Sequence, residues 1–313
     1  MTKTITVLAG GLSHERDVSI RSGRRVAESL RAVGADVTVR DMDSSLIPAL
    51  KADRPDCVIP LLHGPTGEDG SLRDVLEALG LPYVGSRPNS CRLSFDKMVA
   101  KAHVAAAGVT TAPSVALPHS TFRDLGAHAV LEALVTHLGL PLVVKPTRGG
   151  SALGASVVRQ RAELAAAMVG AFSYADTAML EVHVPGTEVA VSVIERADGT
   201  RQALPPVEIR PDFELFDFTS RYTAGATEYF VPARLPRDVA AECARVALLA
   251  HEQLGLRHLS RADLIVTPAG QVTFLEVSVA PGCTETSLLP QGVEAAGLDL
   301  GAVFLELVDL AVG

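Results

Sequence analysis

The chain has 313 residues, of which 48% are hydrophobic, and its formal net charge is −8. That length exceeds the usual size of one hydrophobic core, so two or three domains are expected. The acidic balance disfavours nucleic acid and anionic membranes as partners, and no apolar run reaches the roughly 18 residues of a membrane span. Because no secretory pattern follows Met1 and the four cysteines are scattered, we expect a cytoplasmic protein with reduced thiols.

The first hundred residues alternate strand and helix patterns, which is typical of an α/β unit with a parallel sheet. Thr4–Leu8 is a short apolar strand, followed by Gly10-Gly11 and by a helical pattern from about Val18 to Val33. Two further strands are predicted at Asp36–Arg40 and Cys57–Leu62, with a helix at Leu46–Ala52 between them.

Polar residues follow two of these strands at the points where the strands end. Ligands of such sheets bind beyond the carboxyl ends of the strands, so Glu15 and His63 are candidates for one shared pocket. The alternative is that each is structural or simply exposed. The phosphate-binding patterns G-x-G-x-x-G and G-x-x-x-x-G-K-[ST] are absent, so a nucleotide would need another cradle.

A glycine-rich loop, Pro146–Gly154, joins predicted strands at Val143–Lys145 and Ala155–Val158. Its amides could fold over phosphates, with Lys145 as a point charge at the base of the loop. The alternative is an ordinary hairpin loop in which the glycines only permit positive φ.

Strands at Ala178–Glu181 and Glu188–Ile194 precede a long segment with little periodicity, Gln202–Thr227. Such a segment inside a compact domain is usually functional or disordered. An amphipathic helix is predicted at Val239–Leu254 and a terminal helix at Val303–Val312.

Between those two helices lies a predicted hairpin, Arg261–Val266 and Gln271–Val279, around a four-residue loop. In that register Val266 faces Gln271 and Arg261 faces Glu276. Alternation then places five side chains on one face: Arg261, Asp263, Phe274, Glu276 and Ser278.

The two carboxylates of this face, Asp263 and Glu276, would be diagonal neighbours about 7–8 Å apart. Carboxylates placed in this way suit Mg²⁺, which prefers oxygen ligands and shares them with substrate phosphates. The alternative is a cross-strand Arg261–Glu276 ion pair on a solvated face.

Six motifs, taken in order, resemble those of the D-alanine–D-alanine ligases of the ATP-grasp superfamily: HGPTGEDG, Asp96-Lys97, VVKPTRGGSALG, RADLI, FLEVSVAPG and TSLLP. They cover nearly the whole chain. The resemblance implies an α/β (α+β) ATP-grasp fold, with an N-terminal Rossmann-like parallel-sheet domain and two antiparallel-sheet subdomains that hold ATP between them. The implied domains are residues 1–95, 96–185 and 186–313, the last carrying the metal and acceptor sites.

The resemblance also implies roles for polar residues around ATP. Glu181 would lie at the adenine edge and Glu188 at the ribose hydroxyls, while Gly149–Gly154 closes as a lid. The implied ATP-binding residues are Lys97, Lys145, Ser151, Glu181, Glu188 and Arg221. The implied metal ligands are Asp263, Glu276 and Ser278. They would hold two Mg²⁺ ions, of which the second is bound more weakly, and Mn²⁺ can substitute for Mg²⁺.

For the amino-acid substrates, the family places Glu15 at the ammonium of the first D-alanine and His63 near its carboxylate. Ser151 and Tyr222 would extend a hydrogen-bonded link from Glu15 to the irregular segment. The implied catalytic residues are Glu15, Ser151, Tyr222, Arg261 and Gly282. The implied substrate-binding residues are Val18, His63, Ser287 and Leu288.

Three features depart from the family's pattern. Ser278 stands where a metal-binding Asn is usual, Arg221 replaces a phosphate-facing Lys, and Phe216-Asp217-Phe218 replaces a tyrosine-rich sequence. Cys283, near the acceptor position, replaces a larger Met or Phe. Contacts of the loop and substrate preference are therefore expected to differ.

The implied activity is ATP-dependent ligation of two D-alanines through an acylphosphate, with release of ADP and phosphate, for peptidoglycan precursors. The expected partners are D-alanine and ATP, and a homodimer is expected. Two alternatives stay open: a related ligase with another amino or hydroxy acid acceptor, and a non-catalytic nucleotide-binding regulator. Tyr222 disfavours a hydroxy-acid acceptor. Five retained residues disfavour the regulator: Lys97, Lys145, Arg261, Asp263 and Glu276.

Overall fold

Three separate β-sheets organise the structure, which is a computed structural model describing residues 3–212 and 225–313. The first sheet is parallel, and the other two are antiparallel. This arrangement confirms the predicted fold class. Within the described ranges, no helix is both long enough and apolar enough to cross a membrane.

The first sheet places β1 (Thr4–Leu8) between β2 (Asp36–Arg40) and β3 (Cys57–Pro60). Val7 and Leu8 of β1 are fully buried, because helices cover both faces of the sheet. The helices in this part of the chain are α1 (Arg16–Ala32), α2 (Leu46–Asp53), α3 (Pro65–Glu68) and α4 (Ser71–Ala78).

Two helices, α5 (Pro88–Phe95) and α6 (Lys97–Ala106), lead from the first sheet to the second. Asp96 caps α6, since its carboxylate accepts hydrogen bonds from the backbone amides of Met98 (3.1 Å) and Val99 (3.4 Å). This cap explains why a helix begins directly after Asp96, with Lys97 in its first turn.

The second sheet has the strand order β4-β7-β5-β6, and apolar side chains of three helices cover one of its faces. Its strands are β4 (Ser114–Pro118), β5 (Leu142–Pro146), β6 (Ser156–Val158) and β7 (Thr177–Val182). The accompanying helices are α7 (His119–Leu125), α8 (Ala127–Leu138) and α9 (Leu164–Phe172), with a 3₁₀ turn at Arg161–Glu163.

The third sheet has the order β11-β10-β8-β12-β13, with β9 paired to β8. Helix α10 (Arg237–Gln253) packs Cys243, Val246 and Ala250 against one face, which leaves the opposite face to the cavity described below. The strands are β8 (Thr187–Glu195), β9 (Arg201–Ala203), β10 (Val207–Pro211), β11 (Thr227–Phe230), β12 (Leu259–Val266) and β13 (Val272–Ser278).

The chain ends with α11 (Leu288–Ala295) and α12 (Leu300–Val312). Phe304 and Leu307 of α12 share one buried apolar cluster with Val26 and Leu30 of α1. The last helix therefore packs on the first sheet, a long-range contact that nothing in the local sequence indicated.

The hairpin of β12 and β13 differs from the predicted register. Its loop has five residues, with Val266 paired to Val272 and not to Gln271, and Arg261 lies opposite Ser278 and not Glu276. The backbone amide of Thr267 donates to the carbonyl of Gln271 (2.9 Å), which closes the longer loop. The predicted four-residue loop was wrong.

A β-bulge changes which side chains share a face. Leu264 pairs with Phe274 but the adjacent Asp263 pairs with Glu276, so Leu275 is an extra residue on β13. Phe274 is fully buried in the core under α10, while Leu275 and Glu276 both line the cavity. The predicted placement of Phe274 on the carboxylate face was therefore wrong, and Asp263 and Glu276 lie directly opposite rather than diagonal.

Candidate active site

A cavity of about 600 Å³ lies between the second and third sheets. Its volume is in the range of small-molecule sites. The glycine loop after β5 contributes Gly149 and Gly150, and the open face of the third sheet contributes the opposing wall. Predicted ATP and metal residues that line it are Lys97, Lys145, Glu181, Glu188, Asp263 and Glu276.

Two ammonium groups share one buried carboxylate in the wall of this cavity. Lys145 Nζ donates to Glu181 Oε2 (2.7 Å), and Lys101 Nζ donates to Glu181 Oε1. Burial would raise the pKa of Glu181, but the charges of Lys145 and Lys101 outweigh it and lower the pKa. Likewise, burial would lower the pKa of Lys145, but the negative charges of Glu181 and Glu276 outweigh it and raise the pKa. Both oxygens of Glu181 are thus engaged by lysines in this state.

Asp263 and Glu276 face each other across the bulge, and each lies beside a cation. Arg261 donates twice to Asp263, from Nε to Oδ1 (2.7 Å) and from Nη2 to Oδ2 (2.8 Å). Lys97 Nζ lies 3.2 Å from Glu276 Oε2 and donates to the carbonyl of Gly149 (2.8 Å). The cations therefore compensate two carboxylates that would otherwise repel across the strand pair.

The donor chemistry of this carboxylate pair fits Mg²⁺. In residues 3–212 and 225–313 no three His, Cys, Asp or Glu side chains converge as a complete metal cage. Mg²⁺ usually takes one or two protein carboxylates and completes its shell with phosphates and waters. A pair of carboxylates at the edge of a large cavity matches this coordination preference of Mg²⁺.

A second, smaller cavity of about 60 Å³ lies where the first sheet meets the glycine loop and the hairpin. The two cavities share four lining residues, so they adjoin: Lys97, Gly149, Gly150 and Glu276. Predicted substrate and catalytic residues that line the smaller cavity are Glu15, His63, Ser151, Arg261 and Gly282, and the predicted metal ligand Ser278 lines it as well.

The ends of β1 and β3 bring Glu15 and His63 together, as the α/β pattern predicted. The hydroxyl of Ser19 accepts from the amide of Gly10 (2.8 Å) and donates to the carbonyl of Leu61 (2.7 Å), which ties the two strand ends to α1. Glu15 is buried, and the hydroxyl of Ser151 in the glycine loop donates to its Oε1.

His63 and Glu68 are titratable groups of the small cavity. Burial lowers the pKa of His63 against the opposing charge of Glu15, and its Nε2 is buried without a hydrogen-bond partner in the described part of the chain. Burial, and next the charge of Glu15, raise the pKa of Glu68 to about 7. Glu68 accepts hydrogen bonds from the Gly64 amide (2.9 Å) and from Ser278 Oγ (3.4 Å).

Several predicted residues lie outside the two cavity linings within the described ranges. Val18 is buried in α1. The hydroxyl of Ser287 accepts from the Thr284 amide (2.9 Å) next to Gly282, and Leu288 is buried in a small apolar cluster. Cys283 is buried in the core of the first sheet. The predictions for Arg221, Tyr222 and Phe216-Asp217-Phe218 fall outside the described residues.

Sequence reasoning missed two polar residues of the site, Lys101 and Glu68. A signal existed for each. Lys101 follows Lys97 by four residues, which places both on one helix face, and Glu68 stands in the same short motif as His63.

The comparisons with known proteins agree with this geometry. Two family models match the chain, described as the D-ala D-ala ligase C-terminus over residues 104–309 and the D-ala D-ala ligase N-terminus over residues 44–86. A D-alanine–D-alanine ligase of Moorella thermoacetica is 37% identical over 310 residues, which are 98% of this chain and 99% of that protein.

Solved structures are similar over the same length. A D-Ala:D-Ser ligase from Enterococcus faecalis gives a TM-score of 0.82 at 26% identity and covers 99% of this chain and 100% of that one. A D-alanine–D-alanine ligase from Bacillus anthracis, complexed with ATP, gives 0.81 at 27% identity, covering 99% of this chain and 97% of that one. Because the C-terminal family model covers residues 104–309 and the 37% identical relative matches 98% of the chain, the chain belongs to the D-alanine–D-alanine ligase family.

Proposed function

We propose that this chain joins two D-alanines into D-alanyl-D-alanine through an acylphosphate, with release of ADP and phosphate, for peptidoglycan precursors in the cytoplasm. The observation that carries the proposal is the junction of the two cavities. The large cavity presents lysines and carboxylates suited to a metal-bound triphosphate, and the adjoining small cavity holds Glu15, His63 and Arg261. The matching family supplies the assignment of substrate.

The division of labour follows from the charges. Lys97 and Lys145 bind phosphate oxygens, with Ser151 and the amides of the glycine loop closing over them and Arg221 adding a further charge. Glu188 receives the ribose hydroxyls. Glu181 lies at the adenine end, where its carboxylate holds Lys145 in place.

Mg²⁺ would be held by Asp263 and Glu276, with a weaker contribution from Ser278 at a second ion, and Mn²⁺ would substitute for it. When bound, it offsets negative charge on the transferring phosphoryl oxygens. Metal binding requires Arg261 and Lys97 to share or leave these carboxylates, and both cations then lie beside the reacting groups.

In the small cavity, Glu15 binds the ammonium of the first D-alanine, whose carboxylate lies near His63, with Val18 supporting the pocket from α1. A carboxylate oxygen of this D-alanine attacks the γ-phosphorus, the bond to the β-phosphate oxygen breaks, and ADP leaves. Ser151, whose hydroxyl donates to Glu15 Oε1, holds Glu15 in place. By the resemblance, Tyr222 would extend this link to the loop that closes over the site.

In the second step the amine of the acceptor, with Ser287 and Leu288 beside it, attacks the acyl carbon and loses a proton. The tetrahedral oxyanion accepts hydrogen bonds from Arg261 and the Gly282 amide, and phosphate leaves as the amide forms. The proposed domains, one for each sheet, are residues 1–95, 96–185 and 186–313. The last helix, α12, packs on the first sheet although it belongs to the third domain. The expected assembly is a homodimer, which sedimentation velocity tests.

A second acceptor is a specific alternative, because the solved structure of a D-Ala:D-Ser ligase is as similar to this chain as that of a D-Ala–D-Ala ligase. The test is ADP release with ATP and D-alanine alone, and with D-serine or D-lactate added, with products identified by mass spectrometry. D-alanyl-D-alanine and ADP in a 1:1 ratio are expected. If D-alanine alone releases no ADP and a mixed product forms, the acceptor is another one.

A further inference from the structure

Lys101 is a buried ammonium group that the proposed mechanism does not use. It lies in α6, one turn after Lys97, and its side chain is only 4% exposed. Its Nζ donates to Glu181 Oε1 and to the carbonyl of Ala112 (2.9 Å). Burial lowers the pKa of Lys101 against the opposing charge of Glu181. A charge in such a place is costly unless its partners are well positioned.

The charges of Lys101, Lys145 and Glu181, which together form a buried charge array, do not cancel. Within this group of three, Lys101 and Lys145 share the single carboxylate of Glu181, which leaves one positive charge over. Glu276 and Glu188, whose charges also act on Lys145, belong to the third sheet on the other side of the cavity. The side chain of Lys145 is 13% exposed and lines the large cavity, whereas Lys101 is sealed from it. The uncompensated charge is therefore presented to the cavity at Lys145.

We propose that Lys101 is a positioning residue for the nucleotide: by compensating Glu181 from behind, it leaves the Lys145 ammonium available to the triphosphate. The inference rests on the proposed function, since it assumes that phosphates occupy the large cavity. Without Lys101, Glu181 and Lys145 form a neutral pair, and a phosphate must compete with that carboxylate for the same ammonium group.

The backbone around the array supports this role. Ala112 precedes β4, whose Ser114 pairs with Glu181 in the second sheet, so Lys101 ties α6 to the strand that carries the shared carboxylate. The same helix carries Lys97, which lies beside Glu276 of the third sheet. Helix α6 therefore carries both Lys97, a proposed direct phosphate contact, and Lys101, which compensates Glu181 behind the second phosphate contact, Lys145.

The main test is Lys101→Met, which keeps the length of the side chain and removes its charge. Binding of ATP, ADP and adenosine to the full-length protein is measured by calorimetry, with displacement titrations for weak ligands. We expect ATP and ADP to bind at least 10-fold more weakly and adenosine to bind within twofold of the unmodified protein. Equal weakening of adenosine and ATP would mean a merely structural role and would overturn the inference.

The double variant Lys101→Met/Glu181→Gln sharpens the test, because it removes one charge of each sign and again leaves Lys145 with an uncompensated charge. Because Glu181 is itself proposed to contact adenine, which ATP and adenosine share, recovery is read from the ratio of ATP affinity to adenosine affinity, and this ratio should recover at least fivefold over Lys101→Met. No recovery contradicts the proposed compensation. Should Lys101→Met fail to fold, Glu181→Gln is compared with the double variant: once the carboxylate is neutral, Lys101 should be nearly dispensable for ATP binding, and a further large loss overturns the inference.

The matched control is Lys51→Met, the same change at an exposed position of α2. Its ATP affinity should stay within twofold. Failure of the inference is distinguishable from failure of the proposed function. If the unmodified protein releases ADP with D-alanine but Lys101→Met binds ATP normally, only the role of Lys101 is wrong.

Discussion

At the scale of single residues, the carboxylate pair is the strongest predictor of chemistry. Asp263 and Glu276 lie opposite each other, and each lies beside a cation, Arg261 or Lys97, that a bound phosphate can attract and a metal ion can displace. Removing one carboxylate leaves the strand intact but takes a hard oxygen ligand from the site.

We expect Asp263→Asn and Glu276→Gln each to lower turnover about 100-fold or more, since a metal supplies several kcal/mol of transition-state stabilisation. Initial rates of ADP release against free Mg²⁺ measure this. Circular dichroism should show the fold retained. ADP release at the normal rate in either variant would remove the metal hypothesis.

Ser278 is expected to weaken a second metal site. Its hydroxyl donates to Glu68 (3.4 Å) and accepts from the Ala280 amide (3.3 Å), and it reaches less far than an Asn carboxamide. Ser278→Asn should lower the free Mg²⁺ needed for half-maximal rate, and Ser278→Ala should change turnover only modestly. A Ser278→Ala enzyme as inactive as Glu276→Gln would show that the serine is an indispensable ligand.

Glu68 makes stability depend on pH. Its pKa is raised from 4.5 to about 7 in the folded protein, mainly by burial. Between those values the folded state keeps a proton that the unfolded state has lost, so stability falls as pH rises through this window.

We expect Glu68→Gln to be more stable than the unmodified protein at pH 8 by about 1–3 kcal/mol, and to differ little at pH 5. Urea denaturation of the ligand-free protein at both pH values measures this. Glu252→Gln, on the exposed side of α10, is the control and should show no such difference. Parallel pH profiles for Glu68→Gln and the unmodified protein would refute the assignment.

At the scale of elements, two local irregularities shape the site. The bulge at Leu275 turns Glu276 toward the cavity and Phe274 into the core, as bulges near active sites often do. The glycine loop ends at Gly154, where φ is +73° and the backbone passes close to Tyr174. Tyr174 in turn stacks edge-on with His14 near Glu15.

Gly154→Ala should disturb the loop, because a Cβ there would lie 2.7 Å from Tyr174 Cδ2 and 2.9 Å from the Gly170 carbonyl oxygen. Added to the positive φ, this costs about 1–3 kcal/mol locally. We expect a 5- to 50-fold higher KM for ATP, measured by steady-state kinetics, with a small change in melting temperature.

The control for this change is Gly170→Ala in α9, where a Cβ meets no atom within 4 Å. It should leave KM for ATP unchanged and stabilise slightly, because Ala is a better helix former than Gly. A normal KM for ATP in Gly154→Ala would mean that the loop does not close over the nucleotide in this conformation.

At the scale of the whole molecule, a half-buried polar cluster joins the first and third sheets. Arg257 donates to the carbonyls of Gly85 (2.9 Å) and Tyr83 (3.0 Å) and stacks on the Tyr83 ring. Burial would raise the pKa of Glu195, but the neighbouring His251, whose Nε2 lies 3.6 Å from Glu195 Oε1, and the hydrogen bond from the His258 amide (2.8 Å) outweigh it and lower the pKa to about 2. The shape of the small cavity depends on this contact between the sheets, because residues next to both sheets form its walls.

Arg257→Met should lower the free energy of unfolding by about 2–4 kcal/mol, because two carbonyls lose charged donors in a half-buried interface. Urea denaturation followed by circular dichroism measures this. Arg92→Met, whose ion pair with Asp74 is exposed, is the control and should cost less than about 1 kcal/mol. Equal effects of the two changes would argue against a structural role for the interface.

The sequence by itself determined many of the elements and, through the resemblance to the ligase family, the kind of chemistry, although the segment Gln202–Thr227, predicted to have little periodicity, contains strand β10. Apolar periodicity sets strands and helices locally, so the predicted helix Val239–Leu254 lies within two residues of α10 at each end. A lysine strand, a glycine loop and two strand carboxylates were each compatible with an ordinary structural role, and the nucleotide site was predicted only from the resemblance of six motifs, taken in order, to the ligase family.

Only the tertiary structure decided the facing of side chains and their charge environment. The extra residue Leu275 reversed the face of Phe274, which alternation along one strand does not show. Lys101 meets its partner Glu181 across 80 residues, and Ser278 meets Glu68 across 210. Burial and these long-range charges set the pKa of each group, and both arise only when distant segments pack together.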